Sequence, residues 1–145
     1  MRQILLVICL AVFIFSGCSK SDTTSSSSLL EGKWRMIYIV DNLSGPNRMK
    51  PSTITGDVDL TFTPATTTTG SFKGNTPTNE IFPNPYTTGT NQSLSITSLN
   101  MTKIAETSWG DEFVQLIVYA QQYSFTPEGY LTITCSSKTL VFMKL

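Results

Sequence analysis

The chain has 145 residues, with ten Lys and Arg balanced by ten Asp and Glu, no His, and 40% apolar residues. This length suits one domain rather than two, and the balanced charge does not indicate a nucleic-acid-binding protein. The absence of His excludes Ser-His-Asp and Cys-His catalysis as well as His-ligated metal sites.

Residues 1–17 have the order of an export signal. A short basic start with Arg2 precedes an uncharged apolar run at residues 4–15, and Ser16 and Gly17 form a small-residue step after it. The run is shorter than the ~20 apolar residues that span a bilayer comfortably. We therefore interpret residues 1–17 as a signal peptide rather than as a transmembrane anchor.

The four residues Phe15-Ser16-Gly17-Cys18 resemble the lipobox of bacterial lipoproteins. The resemblance implies a diacylglycerol thioether on Cys18, cleavage before this residue, and acylation (palmitate, for example) of the new amino terminus. Several acyl chains anchor a protein stably, whereas one chain binds a membrane only marginally. Ser19 follows, where an Asp would resemble the inner-membrane retention signal, so we predict a lipid-anchored envelope protein of the outer membrane.

Residues 18–28 carry almost only small polar side chains after the cysteine, which is typical of a flexible tether. Lys20 and Asp22 resemble the charged surface-export signals of some Bacteroidetes lipoproteins. Asp22-Thr23-Thr24 resembles the three-residue O-glycosylation motif of the same phylum. The periplasmic and the surface face of the membrane both stay open, and the folded domain is predicted at residues 29–145.

The first half of this domain reads as strands with one long connection. Residues 32–40 predict a strand with Trp34, Met36, Tyr38 and Val40 on one face. Residues 56–63 alternate cleanly, and residues 71–73 form the return strand of a hairpin. Residues 74–91 contain Pro, Gly and Asn and are predicted to be a long loop, of a length that is usually functional or mobile, with Gly74 as a backbone turn position.

The second half contains one change of period. Residues 93–99 alternate as a strand, but the apolar residues Trp109, Phe113, Leu116, Ile117 and Ala120 follow helical spacing. The segment from Ser108 to Asp111 fits a capping box loosely. Residues 123–126, 130–135 and 139–143 are three closing strands. We predict a mainly β (α+β) domain, a compact, antiparallel, partly open barrel of about seven to eight strands with one short helix packed across it.

Few residues of the sequence are candidates for binding a ligand or for catalysis. Asp57 and Asp59 lie two apart on one strand face and could hold a cation or flank a sugar, although we favour a solvated face. Phe82 and Tyr86 in the long loop are the candidates for binding a ligand by stacking, against an alternative in which they only anchor the loop. Cys135 stands in an alternating segment and is predicted to be a buried, inert thiol. We predict no cofactor and no metal.

Two groups of residues together suggest a family. One is Gly70-Ser71-Phe72-Lys73-Gly74-Asn75, followed by the loop to Tyr86. The other is Thr102-Lys103-Ile104-Ala105 before a helix with Glu112 and Phe113, then Tyr123, Gly129, Leu131 and Leu140. This order resembles the META/HslJ-like domains of bacterial lipoproteins. The resemblance implies an antiparallel, partly open β-barrel with one helix across it, a link to envelope stress and drug tolerance, and no agreed enzymatic activity.

A second resemblance supports a different class. Gly32-Lys33-Trp34 is similar to the Gly-x-Trp of the first lipocalin strand, where the Trp closes the barrel floor. Two functions therefore stay open. The first is a non-enzymatic lipoprotein that binds an envelope protein partner, and the alternative is a carrier of a small hydrophobic ligand. The volume between Trp34, Phe62, Phe72 and Phe113 discriminates between them, because a carrier needs a cavity there.

Overall fold

The structure, a computed structural model, describes residues 26–43 and 45–145. The predicted signal peptide, the lipid attachment residue Cys18 and the motif at residues 22–24 lie outside the described residues. Within them, nine β-strands and two α-helices occur. No helix in this part of the chain has the length and apolar character needed to cross a membrane.

The elements of the described residues include nine strands of two to ten residues. In chain order they are α1 (Ser26–Leu29), β1 (Gly32–Asp41), β2 (Arg48–Met49), β3 (Asp59–Pro64), β4 (Thr69–Asn75), β5 (Glu80–Thr88), β6 (Leu94–Ser95), α2 (Ser108–Ile117), β7 (Ala120–Phe125), β8 (Leu131–Cys135) and β9 (Lys138–Lys144). A single 3-10 turn, Thr90–Gln92, precedes β6.

The strands form a nearly closed up-and-down barrel. The order across the sheet is β6-β5-β4-β3-β1-β9-β8-β7, and every pairing is antiparallel. The short strand β2 pairs with the second half of β1, and β3 pairs with the first half. The seam between β6 and β7 is crossed by a bridge between Ser93 and Gln122 and by the Gln122 amide, which donates to the Asn91 carbonyl at 2.8 Å. The predicted fold class, an antiparallel barrel with one short helix across it, is confirmed.

The barrel has two distinct ends because its strands alternate in direction. The proximal end carries α1, the end of β9, and the connections at residues 65–68, 89–93 and 126–130. The distal end carries the connections at residues 42–58, 76–79, 96–119 and 136–137, so β2 and α2 belong to it.

One bulge changes the inward face of β1. Trp34 and Met36 are buried on the predicted face. Met36 pairs with Phe142 and Tyr38 pairs with the adjacent Val141, so Ile37 between them has no partner on β9. The extra residue reverses the alternation, as a β-bulge does. Ile39 therefore points into the core, and the prediction that Tyr38 and Val40 share the inner face with Trp34 was wrong.

The predicted loop at residues 74–91 was wrong, because nine of its residues form β5. Pro83 and Pro85 lack backbone donors, which confines proline to strand edges and bulges. Here the side chain of Asn84 takes over the missing pairing: its amide donates to the Asn100 carbonyl at 3.2 Å, and its oxygen accepts from the Asn100 backbone N–H at 2.6 Å. The stretch is a strand because it pairs antiparallel with β4, and the contact with Asn100 holds its other edge.

The predicted helix is confirmed, with shifted ends. The N-cap is Thr107, one residue before the predicted Ser108, and its hydroxyl accepts from the Gly110 N–H at 3.2 Å. The buried face consists of Trp109, Phe113 and Ile117. The helix ends at Ile117, so the predicted member Ala120 begins β7 instead.

Both ends of the barrel are covered. At the proximal end, Leu30 is fully buried and its carbonyl accepts from the Trp34 indole N–H at 2.9 Å, while the Ser27 backbone donates to the Thr67 carbonyl. Ser27 is buried, so the folded body begins at Ser26, three residues inside the predicted tether. At the distal end, the buried face of α2 packs on the core.

Aromatic rings pack against one another in the interior of the barrel. The Phe62 ring lies 5.6 Å from the Phe72 centroid and 5.4 Å from the Tyr86 centroid, both within the range of favourable ring pairs. Val58 and Leu60 are buried beside Phe62, as the alternation of residues 56–63 predicts. These side chains belong to one continuous core cluster.

Candidate functional site

The outer surface of β1, β3, β4 and β5 carries two rows of polar side chains set by strand register. One row runs from Lys33 through Thr61 to Lys73. The other runs from Arg35 through Asp59 and Asn75 to Glu80. Residues opposite each other on neighbouring strands lie about 5 Å apart, so each row brings its side chains within reach of one another.

Arg35 joins the two carboxylates that the sequence places on one face. Its guanidinium donates to both Asp59 oxygens, at 2.8 Å and 3.0 Å, and lies 3.2 Å from an Asp57 oxygen. The hydrogen bond from Arg35 holds the pKa of Asp59 below its usual value, and the same bond raises the pKa of Arg35. Lys50 completes the group at 2.6 Å from Asp57.

The shared face of Asp57 and Asp59 is confirmed, but the favoured description of it as solvated was wrong for one residue. Asp59 is only 6% exposed, because Arg35 and Lys33 cover it. Removing one charged partner of a buried carboxylate is strongly destabilising, because it leaves an uncompensated buried charge. Among the described residues, no group of three or more carboxylate or thiol side chains is arranged to hold a metal ion.

A shallow groove lies beside this ion-pair cluster. It has a volume of about 470 Å³, counting space open to solvent, and its wall contains the side chains of Lys33, Thr61, Lys73 and Glu80. Its floor includes Gly74, which is not the turn position that the sequence predicts but a residue of β4. A Cβ there would lie 1.8 Å from the Asp59 carbonyl oxygen, so only glycine lets the two backbones approach.

The two ligand-binding candidates of the predicted loop point in opposite directions. Tyr86 is 1% exposed, and its ring belongs to the core, so it offers no surface for stacking. Burial, with Tyr123 and Glu31 nearby, raises the pKa of Tyr86 to about 12. Phe82 is exposed on the outside of β5. The structure therefore does not bring Phe82 and Tyr86 together.

A buried polar cluster at the distal end has no counterpart in the sequence predictions. The Glu106 carboxylate accepts from the Thr76 hydroxyl, from the Asn79 amide at 2.9 Å and from the Thr107 N–H at 2.9 Å. Burial opposes ionisation of Glu106, but these hydrogen bonds outweigh it and lower its pKa. The Asn79 oxygen also accepts from Ile104 N–H at 2.8 Å. The cluster thus fixes the segment before α2 to the turn between β4 and β5.

A second distal contact ties α2 to the sheet. The Lys138 ammonium donates to one carboxylate oxygen of Glu112 at 2.6 Å. A guanidinium nitrogen of Arg48 lies 2.6 Å from the other oxygen and forms an ion pair with it. Arg48 and Lys138 also line a small groove with Ile39 and Pro46. The helix is therefore held by charge as well as by its apolar face.

Cys135 is a free cysteine in the interior of β8. It is fully buried, and burial raises the pKa of its thiol to about 12. A thiol that stays protonated is a poor nucleophile. The prediction of a buried Cys135 is confirmed.

No family model and no curated protein matches this chain. It is similar to a solved NMR structure of a protein from Burkholderia xenovorans, with a TM-score of 0.62 and 18% sequence identity. The match covers 83% of this chain and 87% of that one. At this identity the likeness shows the fold alone, an antiparallel β-barrel with one short helix.

Proposed function

We propose that this chain is a lipid-anchored protein of the outer membrane whose β domain is non-enzymatic and binds an envelope protein partner through its outer surface. The observation that carries the proposal is the aromatic packing in the interior. The Phe62 ring contacts the rings of both Phe72 and Tyr86, and Phe62 and Phe72 are two of the four positions between which a carrier needs space. This packing favours binding of a partner at the outer surface.

The lipid anchor rests on the sequence motif at Cys18 and is tested with a matched cysteine. In cells fed an alkyne fatty acid, the unchanged chain should take up label and enter the detergent phase, whereas Cys18→Ser should lose both properties. Cys135→Ser is the control, because this thiol is buried in the domain and should leave labelling intact. Labelling that survives Cys18→Ser would refute the anchor.

The barrel with one helix is also the fold that the resemblance to META/HslJ-like domains implies, and this agreement supports a role in envelope stress. A deletion strain should then grow normally in standard medium and lose viability in the presence of a membrane-active drug. Complementation with the unchanged gene should restore growth, and equal survival of both strains would count against this role.

The second candidate is a lipocalin-like carrier, favoured by the up-and-down order of the strands. Native mass spectrometry of the lipid-free Cys18→Ser chain discriminates: the interaction module gives the mass of the chain alone, and a carrier gives an additional bound lipid.

A further inference from the structure

The groove on the outer surface of β1, β3, β4 and β5 is concave for two reasons that lie in the backbone. Gly74 on its floor has no side chain. The pairing of β4 with β5 also shifts register beside it: Phe72 pairs with Asn84 and Gly74 pairs with Ile81, which leaves one extra residue on β5. Such a bulge bends its strand. The outside of the barrel therefore has a hollow here, walled by side chains of four strands.

The walls of this groove carry charges of opposite sign. Lys33 and Lys73 lie in one row of polar side chains, and Glu80 lies in the neighbouring row. Within the described residues, Lys73 and Glu80 form no ion pair, and the one ionic contact of Lys33 is with Asp59, at 3.6 Å. Asp59 is already neutralised by Arg35, which donates to both of its oxygens. The groove thus has a positive side and a negative side that do not neutralise each other.

Strand geometry sets the distance between the two sides. Glu80 pairs with Asn75, which lies two residues along β4 from Lys73. Two residues of a strand span about 7 Å, and the hollow above Gly74 lies between these positions. A molecule that lies across the hollow meets the lysine ammonium groups and the Thr61 hydroxyl at one end and the Glu80 carboxylate at the other.

We propose that the groove binds a small zwitterion, with its anionic group at Lys33 and Lys73 and its ammonium group at Glu80. Hydrogen bonds between ionised groups are roughly twice as strong as neutral ones. Phe82, two residues after Glu80, is exposed on the outside of β5, and an aromatic face attracts an ammonium group. This site adds a small ligand to the proposed function and does not depend on the anchor at Cys18, because all of its residues belong to the barrel.

NMR titration of the isotope-labelled, lipid-free Cys18→Ser chain with glycine peptides tests the proposal. Glycine, glycylglycine and triglycine separate their two termini by at most about 3.5, 7 and 10.5 Å. Glycylglycine should shift the backbone amide signals of Gly74 and Glu80 in a saturable way and bind about threefold more tightly than the other two. N-Acetylglycylglycine lacks the ammonium group and glycylglycinamide lacks the carboxylate, so each should bind several-fold more weakly than glycylglycine.

Two charge variants report on the two ends of the ligand separately. Glu80→Gln should weaken the binding of glycylglycine several-fold and leave that of N-acetylglycylglycine unchanged. Lys73→Gln should weaken the binding of glycylglycine and leave that of glycylglycinamide unchanged. Glu128→Gln and Lys103→Gln are the matched controls, since both side chains are exposed outside the groove, and neither should change any affinity.

O-Phosphoethanolamine distinguishes two sources of such a zwitterion, because it carries a phosphate in place of the carboxylate. Tighter binding than that of glycylglycine assigns the site to phospholipid head groups, and weaker binding assigns it to peptides. Three results would overturn the proposal: no saturable shift at Gly74, equal affinity for all three peptide lengths, or glycylglycine binding that both charge variants leave unchanged. None of these results affects the fatty-acid labelling that tests the anchor.

Discussion

Truncating Phe72 tests whether the barrel interior is filled. Its side chain is fully buried, and its ring contacts Phe62 at a centroid distance of 5.6 Å. Phe72→Ala removes the transfer free energy of a buried aromatic ring and also leaves a cavity, because a packed core relaxes only partly. Together these costs amount to about 3–5 kcal/mol. Against a typical domain stability of about 5–15 kcal/mol, this is a large loss.

The measurement is equilibrium unfolding in urea of the lipid-free Cys18→Ser chain, followed by Trp fluorescence. Phe82→Ala is the matched control, since Phe82 is the same residue type on the outside of β5, and it should lose under about 1 kcal/mol. A loss at Phe72 as small as the loss at Phe82 would refute the reasoning. It would mean that the ring borders open space, and a ligand carrier would then be the better interpretation.

Three further predictions follow from single contacts. Gly74→Ala should lower the free energy of unfolding in urea by at least about 1–3 kcal/mol, since the new Cβ clashes with the Asp59 carbonyl. An unchanged free energy would contradict the close approach of the β3 and β4 backbones at this position. The hydrogen bond from Arg35 lowers the pKa of Asp59 below its ordinary value of 3.8. The ion pair therefore contributes its full stability above about pH 4, and this stability is lost as the pH falls through the lowered pKa of the folded state. The stability difference between the unchanged chain and Asp59→Asn should thus be full at pH 7 and shrink below about pH 4, and a constant difference would speak against it. Cys135 should resist iodoacetamide at pH 8 in the native lipid-free chain and react fully in denaturant, and rapid native alkylation would show an accessible thiol.

Local alternation determined much of the barrel from sequence alone. Val58, Leu60 and Phe62 alternate with polar residues, and all three lie in the core. The helical spacing of Trp109 and Phe113 predicts a buried helix face, which α2 has. These predictions depend only on the backbone periods of strand and helix, which act over a few residues.

Contacts between distant segments decided what the sequence did not reveal. The proline-rich stretch at residues 80–88 becomes a strand because it pairs with β4, and Asn84 also bonds the backbone of Asn100, sixteen residues away. The bulge at Ile37 reverses the inner face of β1 through its register with β9. Neither signal is present in a local pattern, because each depends on which segment becomes the neighbour.

The same distinction applies to function. The motif at Cys18 and the polar segment after it predict where the protein resides, since a lipid attachment signal is read as a short linear sequence. Tertiary structure placed Arg35 between Asp57 and Asp59 and put Tyr86 in the core. It also brought charged side chains of β1, β4 and β5 around one groove, because the order of the strands makes neighbours of segments that are far apart in sequence.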